Sequence, residues 1–134
     1  MISTAEKVLF LKGTPIFAQV PGEDLAPLAR LAEVLNFSPG EEIFHQGDAG
    51  DSLYVVVRGR VAIEKDGQRL NALTAGEAFG EMAILDAQPR FATARADEET
   101  EALRIGSEEF YEVLREQSEI AEGIIRMLTR RLRE

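Results

Sequence analysis

The apolar positions of this chain follow a helical period at both ends and a strand period in the middle. Ser3-Thr4-Ala5-Glu6 has the spacing of a capping box, which predicts a helix starting near Thr4. Val8, Leu9, Phe10 and Leu11 supply its apolar side, and Gly13 with Pro15 ends it. Ile16, Phe17 and Val20 belong to a short turn-like piece before Pro21-Gly22. Leu25, Leu28, Leu31, Ala32 and Leu35 then recur at helical spacing and predict a second helix over 23–34, with Glu23 and Asp24 at its positive dipole end and Pro27 in its first turn. From Asn36 the pattern changes to short runs of β-branched and aromatic residues cut by glycine-containing turns, with strands predicted over 42–45, 52–57, 60–65, 68–73, 91–96 and 101–105. Asp66-Gly67 is a two-residue hairpin turn. The unbroken run Tyr54-Val55-Val56-Val57 suits a strand covered on both faces.

After Ile105-Gly106 the helical period returns. Ser107 is the expected N-cap of a helix bearing Phe110, Tyr111, Val113 and Leu114, and Glu108 and Glu109 fall in its first turn. Ser118 is the expected cap of a last helix, which carries Ile120, Ile124, Leu128 and Leu132 at steps of four. The fold class expected is therefore α+β and mainly β: an antiparallel, jelly-roll-like β-barrel flanked by N-terminal and C-terminal helices. The whole chain, 1–134, reads as one domain: helices over 1–35, the barrel over 36–106, and helices over 107–134.

Composition narrows the function classes. A chain of 134 residues that is 45% hydrophobic and 29% charged has the balance of a soluble globular domain. It has no cysteine and only His45 among histidines, which excludes thiolate and multi-histidine metal sites and removes the usual nucleophile–base pairs of hydrolases. Neither metal nor catalysis is expected, and His45 reads as structural or exposed. No apolar run reaches the ~18 residues of a membrane span, and the N-terminus has no signal-peptide layout. A cytoplasmic location is expected. A net charge of −9 argues against non-specific nucleic-acid binding. Arg126, Arg130, Arg131 and Arg133 crowd the end of the last helix, where cations are favoured in any case, so they read as a solvated face.

The chemistry is concentrated in residues 79–96, FGEMAILDAQPRFATARA. Met82, Ala83, Ile84 and Leu85 make one apolar helical turn behind Gly80-Glu81, and Pro89 precedes Arg90. A glycine lets backbone approach a ligand. A helix N-terminus and an arginine fork suit a phosphate, and a carboxylate accepts from sugar hydroxyls. Phosphate and sugar hydroxyls together mean a nucleotide. Phe79-Gly80-Glu81-Met82-Ala83 followed by Pro89-Arg90, Ala92 and Thr93 resembles the phosphate-binding cassette of cyclic nucleotide-binding domains, as in protein kinase A regulatory subunits, gated channels and the catabolite activator protein. Gly47-Asp48-Ala49-Gly50-Asp51 also matches the family pattern.

The resemblance implies a sensor module that binds a cyclic mononucleotide, cAMP or otherwise cGMP, and converts occupancy into movement of the flanking helices. Arg90 would take the cyclic phosphate, with backbone N–H groups near Ala83 and Phe91, and Glu81 would accept from the ribose 2′-hydroxyl. Gly80, Met82 and Ala92 complete the cassette, and Asp51 would buttress Arg90 or else serve only the turn. By position along the strands, Ile63, Leu70 and Leu73 are candidate walls for the base. Phe91 departs from the small residue or Thr usual after the arginine. The change disfavours cGMP, and the ring would either stack on the purine or fill the pocket. Met127, Leu128 and Arg131 are the candidates for a lid from the last helix. An effector domain or partner protein is implied, and the apolar stripe of that helix could pair with a second copy or pack on its own barrel. The alternative function is a degenerate copy of the fold that binds no nucleotide and acts as a protein-interaction module.

Overall fold

A computed structural model describes residues 2–134. Helix α1 (Thr4–Lys12) opens on the expected capping box, in which Glu6 N donates to Ser3 Oγ at 3.1 Å and Ser3 N donates to Glu6 Oε1 at 3.0 Å. The expected helix over 23–34 does not form as one piece. It becomes a 3-10 turn (Gly22–Leu25) and a short α2 (Ala26–Leu31), and Ala32 turns extended at φ −69°, ψ 127°. The chain then enters β1 (Glu33–Phe37), which pairs antiparallel along its length with the late strand β8 (Thr100–Gly106). Pairing with a partner far along the sequence overrides a helical period that fitted these residues locally. The boundary between helices and sheet therefore lies at residue 33 rather than 36.

Between those strands run β2 (Glu42–Phe44), β3 (Ser52–Arg58), β4 (Val61–Lys65), β5 (Gln68–Leu73), the two-residue β6 (Ala78–Phe79), α3 (Glu81–Asp86) and β7 (Thr93–Ala96). Asp66-Gly67 makes the β4–β5 hairpin with φ positive at both residues. β6 was not expected, and β7 begins two residues later than the predicted run, which leaves Phe91 and Ala92 outside the ladder. The strands form two antiparallel four-stranded sheets, ordered β1-β8-β3-β6 and β2-β7-β4-β5. The sheets form an open roll rather than a closed barrel.

Strand β3 joins the two cores. Leu53, Val55 and Val57 face a cluster with Leu11, Phe17, Leu28, Phe110 and Ile120 from the helices, whereas Tyr54 and Val56 pack with Val61, Phe79 and Ala94 between the sheets. Alternation along one strand, buried from Ser52 to Val57, thus serves both layers. The chain finishes with α4 (Ser107–Glu116) and α5 (Ser118–Arg133). Neither expected serine cap is used: Gly106 and Gln117 occupy the N-cap positions, with no side-chain capping bond. The stripe on α5 also differs from expectation. Ile120 and Ile124 pack on the domain together with Gly123 and Met127, while Leu128 and Leu132 are exposed. Gly123 is required there, because a Cβ would stand 2.4 Å from Val20 Cγ2.

Candidate functional site

The segment between β6 and β7 lies over the sheets and lines an open cavity of about 820 Å³. Gly80 sets its geometry. The residue has φ 81° at the N-cap of α3, and a Cβ there would stand 2.6 Å from Arg90 Nη1. Glycine is needed for the left-handed backbone and for the close approach of the guanidinium. Asp48 and Gly47 hold the far end of the segment: Arg90 N donates to Asp48 O at 2.7 Å, and Gly47 N donates to Arg90 O at 2.9 Å. Gly50 presses against α3 so closely that a Cβ would overlap Ala83. The glycine-rich loop and the cassette therefore fold as one unit.

Arg90 is 4% exposed. Its Nη2 donates to Ser52 O at 2.7 Å and to Ser52 Oγ at 3.1 Å, and Nη1 donates to Gly80 O at 3.0 Å. The guanidinium carbon also lies 4.0 Å from the centre of the Phe44 ring. Nε is buried with no hydrogen-bond partner among the described residues. Burial pulls the Arg90 pKa below the usual arginine value, opposed by Tyr54, Asp51 and Asp48, while nearby Arg104 lowers it further. A carboxylate does not neutralise the group at close range. Asp51 stands 3.9 Å from Nη2 and is itself exposed, and its other oxygen is 3.8 Å from Arg104 Nη2. Asp51 is thus a loose neighbour of Arg90, and the close support comes from Ser52 and Phe44. A buried cation held by neutral acceptors, with its Nε–H left unpartnered, is suited to an anion.

The expected residues are brought together. Gly80, Glu81, Met82, Ala83, Arg90, Phe91 and Ala92 all line the cavity, together with Ile63 of β4 and Leu70 and Leu73 of β5. Glu81 is half-buried, and among the described residues its carboxylate makes no hydrogen bond or ion pair. Phe91 does not fill the space. The ring is 65% exposed at the rim, with Lys65 Nζ 4.0 Å from its centre. Of the lid candidates, Met127 is buried in the helical core, and Leu128 and Arg131 are exposed without lining the cavity. His45 is exposed with Nδ1 3.1 Å from Glu42 Oε2, in keeping with a structural role.

Sequence reasoning missed Phe44, Ser52 and Asn71. Ser52 follows the Gly-Asp-Ala-Gly-Asp stretch directly and Phe44 lies in a predicted strand, but only the three-dimensional fold brings either to Arg90. Asn71 lines the cavity between Leu70 and Leu73.

The cyclic nucleotide-binding domain model matches residues 34–117. The chain is 36% identical over 129 residues to the cyclic AMP receptor protein of Thermus thermophilus, covering 92% of this chain and 60% of that protein. It is also 36% identical over 104 residues to a cGMP-dependent protein kinase of Toxoplasma gondii, covering 78% of this chain and 10% of the kinase. This chain therefore spans only part of these relatives. A crystal structure of the N-terminal domain of a transcriptional regulator from Streptomyces coelicolor A3(2) superposes with a TM-score of 0.83 at 32% identity, covering 92% of this chain and 90% of that one.

Proposed function

The chain belongs to the cyclic nucleotide-binding domain family, and on that premise we propose that it is a sensor module that binds a cyclic mononucleotide, cAMP in preference to cGMP. The observation that carries the proposal is Arg90, nearly fully buried at the edge of an apolar-walled cavity and left with an unpartnered N–H. In this reading Arg90 receives the cyclic phosphate, with backbone N–H groups near Ala83 and Phe91. Glu81, whose carboxylate is uncommitted, accepts from the ribose 2′-hydroxyl. The base lies against Ile63, Leu70 and Leu73. Preference for cAMP rests on Phe91, which has no hydroxyl to offer a guanine. No catalytic step is assigned to the chain.

Helix α3 gives occupancy a route to the flanking helices. Its first turn, with Glu81, Met82 and Ala83, lines the cavity, and Ile84 belongs to the same helical core as Phe110 and Ile120. Tyr111 of α4 donates to Ile84 O at 2.7 Å. A ligand that repositions α3 therefore acts directly on α4, and it shifts the helices only as far as its affinity differs between their two arrangements. The output is an effector domain or a separate partner protein. The test is calorimetric titration of folded, nucleotide-free protein with cAMP, cGMP and 5′-AMP, on the wild type and on Arg90→Ala. Micromolar cAMP binding, about −8 kcal/mol, that is lost in Arg90→Ala is the expected result. No heat and no thermal shift with either cyclic nucleotide would overturn the proposal and leave the protein-interaction reading.

A further inference from the structure

We propose that Phe91 is the lid of the cavity, an aromatic plate that stacks on the purine of the ligand and is backed on its other face by Lys65. This inference rests on the cyclic nucleotide reading and deepens it. It assigns base recognition to the cassette itself rather than to the last helix.

The placement of Phe91 supports the proposal. A phenylalanine that is 65% exposed gains little of the stabilisation that burying its side chain would supply, although it lines a roomy cavity. Met82 at 73% and Leu70 at 50% exposure share that rim, so the mouth is an apolar ring open to water. Lys65 Nζ lies 4.0 Å from the Phe91 ring centre and takes one face. No other aromatic ring among the described residues pairs with Phe91, which leaves the second face for a flat partner. A ring carrying a cation on one face and a heteroaromatic base on the other combines cation–π attraction with stacking.

The backbone allows the motion. Arg90 is pinned by hydrogen bonds from its main chain and side chain, whereas Phe91 is the next residue and precedes the first ladder position at Thr93. Its side chain can therefore swing without breaking a strand bond. The anchor for the phosphate and the plate for the base would then be neighbours in the chain, so that binding the one brings the other into reach. The helical lid candidates do not compete for this role, since Met127 is committed to the helical core and neither Leu128 nor Arg131 lines the cavity.

The experiment titrates the wild type, Phe91→Ala, Phe91→Trp and Lys65→Met with cAMP and with ribose 3′,5′-cyclic phosphate, which keeps the phosphate and sugar but has no base. Phe91→Ala is expected to weaken cAMP about tenfold or more and to leave the baseless ligand unchanged. Phe91→Trp is expected to keep cAMP affinity, and, as the only tryptophan in the chain, to be quenched by cAMP but not by the baseless ligand. Lys65→Met is expected to weaken cAMP about threefold, and an unchanged value would overturn the part given to Lys65. Wild-type affinity for cAMP in Phe91→Ala, or equal losses for both ligands, would overturn the lid while leaving the sensor reading intact. A wild type that binds neither ligand would overturn both. Since the ring is largely exposed, none of the Phe91 variants is expected to unfold the domain.

Discussion

Gly80→Ala tests whether the approach of backbone and guanidinium at the cavity is the feature that creates the proposed anion site. The substitution acts in two ways that can be separated. A non-glycine residue at φ 81° costs about 1–2 kcal/mol in any context. The new Cβ would also stand 2.6 Å from Arg90 Nη1 and 3.2 Å from Ser52 O, so the guanidinium must retreat and its bonds to Gly80 O and Ser52 O must lengthen. Hydrogen bonds from a charged donor contribute about 1.5–3 kcal/mol each; losing part of one brings the total to about 3 kcal/mol. For a domain of this size that is a fall in Tm of about 10 °C. Gly40→Ala is the control. Gly40 has φ 85°, but a Cβ there meets nothing within 4 Å, so it should lose only the backbone share and bind ligand as the wild type does. Urea unfolding and calorimetric titration of the two variants give both quantities. Gly80→Ala should be about 1–2 kcal/mol less stable than Gly40→Ala, by the guanidinium bonds it disturbs, and should bind cAMP at least tenfold more weakly. Equal stability of the two variants, with wild-type binding in Gly80→Ala, would refute the argument that Arg90 is held in place by this contact.

Other substitutions probe the surroundings of the same contact. Asp51→Asn should weaken cAMP binding by less than about 1 kcal/mol, because an exposed carboxylate 3.9 Å away is a weak partner; a loss as large as that of Arg90→Ala would restore the buttress role. Tyr111→Phe removes the hydroxyl bonded to Ile84 O and should cost about 1 kcal/mol of stability. If that bond carries the signal, the ligand-induced change in amide exchange along α4 should shrink, and an unchanged response would exclude it. Leu128→Glu should leave the fold intact, because the residue is exposed, and should abolish any self-association seen by sedimentation; a dimer that survives it does not pair through that face of α5. Glu6 has its pKa held below the usual glutamate value, first by the Ser3 backbone N–H and then by the Ser3 hydroxyl. Its contribution is therefore present above the ordinary carboxylate range and lost as pH falls through the lower, folded-state value. Amide exchange at the start of α1 should rise on acidification, and Glu6→Gln should remove that dependence.

What the sequence revealed depended on whether a signal was local. The hairpin at Asp66-Gly67 and the capping box at Ser3 are set by residues in contact along the chain, and both form as read. The cassette is local too, because Gly80 and Arg90 meet within a single loop and helix. The helix over 23–34 failed because its end is decided by β8, far along the chain, which draws residues 33–37 into a sheet. The α5 stripe packs on the domain only in its first half. A step of four advances about 40° round the helix, so Ile120 and Ile124 meet the core that Gly123 allows to come close, while Leu128 and Leu132 turn away from it.

The same distinction explains why the groups closest to Arg90, Ser52 and Phe44, were not legible in the sequence. A carboxylate near the arginine is the partner that charge alone suggests, and Asp51 lies in the matching stretch. In the fold the close positions go instead to a carbonyl, a hydroxyl and an aromatic face, from Ser52 and Phe44. This arrangement has a consequence for binding. A carboxylate at short range would neutralise the guanidinium and would have to be displaced or repelled by an incoming phosphate, whereas neutral acceptors orient the group and leave its charge available. Burial has already stripped Arg90 of most of its water, as its lowered pKa reflects, so an anion arriving there meets a cation whose desolvation was met during folding. The affinity gained in this way is drawn from fold stability, and weakening the site should therefore make some variants of Arg90 more stable rather than less. Arg90→Met, which keeps much of the apolar stem and removes the buried charge, is the variant in which that trade should appear: binding lost, with stability retained or raised in unfolding titrations.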